Sequence, residues 1–116
     1  MADAVLIFDG ECGFCRRSVR ILRARVRRVP RIVAWQSIDP AQYGTTEEAC
    51  RTAVQHVGTD GRVRGGADGI ARLLVEAGWP WLVLGRLMSV PGVIHISRAA
   101  YRWVARNRHR FRGDPA

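Results

Sequence analysis

Lysine is missing from this chain. All 19 basic residues are arginine, and with 10 acidic residues the net charge is +9. A nucleic-acid-binding surface usually draws on both cations, because lysine serves well at phosphates. Exclusive use of arginine reads instead as genome-wide codon composition. The positive field still favours acidic partners and makes association salt-dependent, without naming the partner. Aromatic residues make up only 8% of the chain and are scattered. That is too sparse for a base-stacking platform, so nucleic acid is not an expected partner. Cysteine is scarce too, at three residues. So small and odd a number excludes a disulfide-stapled secreted miniprotein. No basic segment followed by an apolar one and a cleavage site is present, so the expected location is cytoplasmic. Internal repeats, low-complexity segments and linkers are absent. An unbroken membrane-length apolar run is absent as well. The most apolar stretch, residues 79–96, contains Pro80, Arg86, Pro91 and His95. Arginine in mid-span is costly in lipid, and the prolines divide the stretch into two short core helices.

What remains is enough for one core. A chain of 116 residues, 47% hydrophobic, is not disordered. It buries roughly two-thirds of its unfolded surface without staples. Residues 1–116 are expected to form one domain, with 79–112 a helical C-terminal extension of it.

Residues 4–8 (AVLIF) are continuously apolar and end in Asp9-Gly10, which predicts a strand buried on both faces. Cys15, Val19, Leu22, Val26 and Val29 then recur at helical spacing. Arg16, Arg17, Arg20, Arg23, Arg27 and Arg28 mostly fill the other side, predicting an amphipathic helix over 12–28 stopped by Pro30. Residues 32–38 read as a second strand closed by Asp39-Pro40. Thr45 with Glu48 resembles a capping box for a short helix whose inner face includes Ala49, Cys50 and Ala53. Residues 54–58 and 62–64 flank the turn signal Thr59-Asp60-Gly61, predicting a hairpin. Asp68 is expected to cap or charge-stabilise the next helix, with Ile70, Leu73, Leu74 and Ala77 inward and Gly78 at its end. Pro80 starts another helix running to Met88. A last helix over 93–108 carries Ile94, Ser97, Tyr101, Val104 and Arg108 on one stripe. The fold class is α/β, in the order β-α-β-α-β-β-α with an added C-terminal helical segment.

Chemistry concentrates in Asp9-Gly10-Glu11-Cys12-Gly13-Phe14-Cys15. A C-x-x-C at a strand-to-helix junction puts the first sulfur at a helix N-terminus, where free N–H groups and the macrodipole stabilise a thiolate. The second sulfur can reach back within one turn. Such a pair can attack a disulfide and resolve the mixed disulfide. In a βαβ context this is a thioredoxin-like redox motif. Haem attachment is excluded, because Arg16 stands where histidine is required. A metal site would need further ligands, and Cys50, His56, His95 and His109 lack ligand spacing. No metal or cofactor is therefore expected. Gly65-Gly66-x-x-Gly69 also lacks dinucleotide-fingerprint spacing.

Asp9-x-x-Cys12-x-x-Cys15 after an apolar strand resembles the Asp-Cys-Cys signature of the DCC family of thioredoxin-like thiol-disulfide oxidoreductases. Asp60-Gly61-Arg62-Val63 with Gly66-Ala67-Asp68 resembles the family's hairpin and following helix start. Tyr101-Arg102-Trp103-Val104-Ala105-Arg106-Asn107-Arg108 resembles its C-terminal helix. The likeness spans residues 5–111. It implies a thioredoxin-like core, with Cys12 as attacking thiolate, Cys15 as resolving thiol and Asp9 as the signature acid. Asp9 has two readings: a tuner or proton acceptor for a cysteine, or a turn residue bonding the loop's N–H groups. Gly13 and Phe14 are the expected substrate contacts, Gly13 through backbone freedom and Phe14 as an apolar lip or simply as packing. The implied partners are a disulfide substrate and an external thiol reductant. One departure stands out. Thioredoxins place a cis-proline at the start of the third strand, facing the disulfide, and residues 54–58 contain none. That puts the usual peptide groove in doubt and removes one barrier to metal at the sulfurs.

Two rival functions remain: a redox-sensing or interaction module docking acidic partners, and a metal-binding protein using Cys12 and Cys15. Cys50 reads as buried and inert, and His56 as a surface or satisfied histidine. Trp35, Trp79, Trp81 and Trp103 read as core and tail packing. Arg98, Arg102, Arg106, Arg108, Arg110 and Arg112 read as solvated surface.

Overall fold

The computed structural model describes residues 4–110; Phe111 and Arg112 lie outside the described residues. The apolar run forms β1 (Val5–Phe8), and a helix α1 (Gly13–Arg25) follows the turn. Strand β2 (Arg31–Ala34) lies parallel to β1 with Leu6 opposite Ile32. Helix α2 (Glu47–Thr52) leads into β3 (Gln55–Val57), which runs antiparallel to β1. Strand β4 (Val63–Gly65) completes the hairpin, giving a four-stranded sheet in the order β2-β1-β3-β4. Helices α3 (Gly66–Ala77), α4 (Trp81–Met88) and α5 (Val93–Asn107) follow. The result is a thioredoxin-like α/β fold with additional C-terminal helices.

Because β1 is central, alternate residues enter different cores. Leu6 packs with Leu73 and Leu74, joined by Leu22 of α1 and by Trp81 and Met88 of α4. Val5 and Ile7 pack with Cys50 on the other face, joined by Val33, Trp35 and Tyr43. Helix α4 lies close on α3 because residue 85 is glycine. A Cβ there would lie 2.6 Å from the Ala71 carbonyl oxygen.

Several expected boundaries move. Helix α1 stops at Arg25 rather than Arg28. Val26 is extended, gives its N–H to the Leu22 carbonyl at 2.9 Å and is buried, so the chain turns back towards β2 three residues early. Strand β2 ends at Ala34 rather than Ile38. Trp35–Ser37 instead forms a 3-10 turn, closed by Ile38 N–H to the Trp35 carbonyl. The α2 cap is Thr46, whose hydroxyl accepts the Ala49 N–H at 3.1 Å, rather than Thr45 paired with Glu48. Thr45 donates its hydroxyl to Gln55 Oε1 instead. The last helix ends at Asn107, and Arg108–Arg110 winds as a 3-10 turn. Trp79 and Trp103 are not core residues. They are 80% and 54% exposed, as is much of the outer face of α4 at Val83 and Leu87. Among the described residues no helix covers that face, so "core" describes only the side of α4 that meets α3. No described helix is long and apolar enough to cross a membrane.

Candidate functional site: a dithiol at the end of β1

The turn leaving β1 is held from three directions. Asp9 Oδ1 accepts the Glu11 N–H at 3.0 Å and the Gln36 side-chain amide at 2.9 Å. Its carbonyl accepts the Cys12 N–H at 3.2 Å. Gln36 Oε1 accepts the Gly10 N–H at 3.0 Å, and Arg16 donates to the Gly10 carbonyl at 2.7 Å. Residue 10 must be glycine for space, since a Cβ would sit 2.9 Å from that of Ala34. The signature acid thus builds the loop that presents the sulfurs.

Cys12 is the N-cap of α1, and its sulfur accepts the Cys15 N–H at 3.2 Å. No acidic residue occupies the helix's first turn. Negative charge on that sulfur faces aligned peptide dipoles. Cys15, one turn further on, is in a different environment. Burial, its hydrogen bond to Cys12 and the charge on Cys12 push its thiol up to about 12. Arg108 pulls the other way, and Asp9 adds to the rise. The Arg108 guanidinium lies 3.7 Å from Cys15 Sγ and 3.9 Å from Asp9 Oδ2. It also donates to the Arg51 carbonyl at 2.8 Å, which fastens the end of the last helix over the site.

Helix α5 makes a second attachment nearby. The Tyr101 hydroxyl accepts the Val54 N–H at 2.9 Å, while the Val54 carbonyl accepts the Gly66 N–H at 2.9 Å. Val54 immediately precedes β3, where the missing proline would be sought. Between α1, the sheet and α5 lies a cavity of about 520 Å³, with Cys15, Phe14, Val54 and Cys50 among its walls. A family model for DCC1-like thiol-disulfide oxidoreductases matches residues 6–114. The chain belongs to that family. No curated protein and no solved structure matches it. Family membership supports a thiol-disulfide oxidoreductase-like function in general terms.

Of the residues expected at the site, Asp9, Cys12 and Cys15 come together as described. Gly13 is the first residue of α1, between the cysteines, and half-buried Phe14 lines the cavity. Cys50 is 1% exposed, and burial pushes its thiol up. His56 lies elsewhere, buried against Glu76 with Nε2 3.0 Å from Oε1. His95 and His109 are exposed. Among the described residues, no three His, Cys, Asp or Glu side chains gather to hold a metal ion.

Sequence reasoning missed Arg108, Tyr101 and Gln36. For the first two a signal existed: both fall on the stripe with Ser97 and Val104, which marks them as inward-facing on the predicted helix over 93–108. Treating Arg108 as solvated surface ignored that register. Gln36 gave no signal, because it sat inside an assumed strand.

Proposed function

We propose that the chain carries out thiol-disulfide exchange, in the reducing direction, through Cys12 and Cys15. Cys12 attacks one sulfur of a substrate disulfide and forms a mixed disulfide, releasing the first substrate thiol. Cys15 then attacks Cys12, forming the Cys12–Cys15 disulfide and releasing the second thiol. An external thiol reductant restores the pair. The chain has no motif for a redox cofactor, so a partner supplies the electrons.

The observation that carries this reading is the unequal environment of the two sulfurs. Cys12 is at the helix N-terminus and accepts a backbone N–H. Cys15 is held protonated by burial and by Cys12 itself. Mixed-disulfide formation ties up the Cys12 sulfur, and with it go two of the influences that hold the Cys15 proton. The pull of Arg108 then remains, which favours the Cys15 thiolate when it is needed. Asp9 is a positioning residue in this scheme. It orders the loop and shares Arg108 with Cys15.

The test is a redox titration in glutathione buffers, with thiols alkylated and counted by mass spectrometry. One reversible two-electron transition confined to Cys12 and Cys15 is expected. Related folds span about −270 to −120 mV. Absence of that transition, or its survival in Cys12→Ser, overturns the proposal.

A further inference from the structure

The cavity beside the dithiol bears on the substrate. Its volume of about 520 Å³ falls within the range of small-molecule sites, roughly 300–1,000 Å³. Leu6, Leu22, Ile70 and Val104 supply walls from the sheet, α1, α3 and α5. Asp9 and Arg108 are its charged side chains, and they sit at the Cys15 end, 3.9 Å from one another. Both Asp9 carboxylate oxygens are engaged: Oδ1 by Glu11 and Gln36, Oδ2 by Arg108. The chain around the site carries a net charge of +9.

An extended peptide substrate would pair its backbone with the strand edge beside the sulfurs. At Val54 that option is closed, since its N–H is bonded to Tyr101 and its carbonyl to Gly66. What stays open is an apolar chamber walled by Cys15, whose N–H bonds the Cys12 sulfur at 3.2 Å.

We propose that the dithiol reduces low-molecular-weight disulfides that carry an apolar chain on one sulfur and an anionic head near the other. The cavity holds the chain, and Arg108 faces the head. This rests on the exchange reading and specifies its substrate. The S–S bond of the substrate breaks, a Cys12–Cys15 bond forms, and two electrons and two protons pass from the dithiol to the two product thiols.

The test uses mixed disulfides of 3-mercaptopropionate with methanethiol, butanethiol and hexanethiol, and kcat/KM is measured for each on the full chain. Full burial of a methylene is worth about fourfold. The hexyl member is expected to exceed the methyl member by at least roughly tenfold. Narrowing the cavity by Ala100→Phe on α5, or independently by Ala53→Leu beside Val54, is expected to pull that ratio towards one. Replacing 3-mercaptopropionate with neutral 2-mercaptoethanol is expected to lower kcat/KM several-fold at low salt, with the difference shrinking as salt rises. A chain-length series that is flat while the methyl compound is turned over overturns this inference and leaves exchange standing. Equal turnover of the charged and neutral heads overturns the role of Arg108. Failure to reduce any member while the two-electron transition in glutathione buffers persists overturns this inference and leaves exchange standing, and loss of both overturns the exchange reading itself.

Discussion

Two clusters of titratable groups sit at opposite ends of β1, and only one is arranged for chemistry. At the start of the strand, Glu76 is saturated. Oε2 accepts from the Thr59 N–H and hydroxyl, each at 3.0 Å, and from Arg72 at 2.7 Å, while Oε1 meets the His56 ring. Burial pushes His56 below its usual value, with Glu76 opposing, so the ring is neutral at pH 7 and the contact is a hydrogen bond. Burial raises Glu76, but the bonds from Arg72, Thr59 and His56 outweigh it and hold the carboxyl low. At the far end, the sulfurs keep their hydrogen bond to one another, one backbone bond and one long guanidinium contact, and Cys15 lines a cavity. Both ends shift protons. A carboxylate saturated by short bonds makes a clasp, whereas a loosely bonded pair beside open space makes a reactive centre.

The contrast breaks most sharply on substitution. Cys12→Ser is expected to reduce disulfide turnover to background, at least about a hundredfold, while the urea midpoint stays close to that of the parent. Glu76→Ala is expected to do the reverse. It strands His56, Thr59 and Arg72 and costs about 2–3 kcal/mol in urea unfolding, with the redox midpoint unmoved. Arg108→Gln is expected to slow the resolving step about two- to fivefold in stopped flow, since one partly exposed charge is worth up to about 1 kcal/mol. With a disulfide that carries no anionic head, loss of the first step as well would mean that Arg108 acts on Cys12.

Acid and alkali separate the two ends with opposite signs. The unfolded chain protonates His56 from about 6.5 and Glu76 from about 4.5, before the folded chain does. Stability present above those values is therefore lost as pH falls through them. The unfolded chain deprotonates Cys15 from about 9, whereas the folded chain holds the proton to about 12. Stability of the reduced protein is lost as pH rises from 9. Urea midpoints against pH are expected to show both shoulders. Cys15→Ser should diminish the alkaline one and leave the acid one alone.

Local pattern made much of this readable. Residues 5–8 declare β1 through continuous apolarity, and Cys15, Val19 and Leu22 declare the inner face of α1. Asp9, Cys12 and Cys15 lie within one turn and one helix start, so their meeting needed no tertiary information. Pattern failed at β2, because Trp35 and Ile38 are apolar whether the backbone is strand or 3-10. It failed at the end of α1, because Val26 continues the stripe although it has left the helix. The remainder of the site depends on contacts across 27 residues for Gln36, 47 for Tyr101 and 93 for Arg108. Only the α5 stripe hinted at the last two.

The central claim is the division of labour between the sulfurs, and trapping tests it directly. Cys15→Ser and Cys12→Ser would each be mixed with oxidised glutathione, quenched with acid at intervals and mapped by mass spectrometry. The account predicts a glutathione mixed disulfide accumulating on Cys12 in Cys15→Ser, and no comparable adduct on Cys15 in Cys12→Ser. Faster trapping on Cys15 would contradict it.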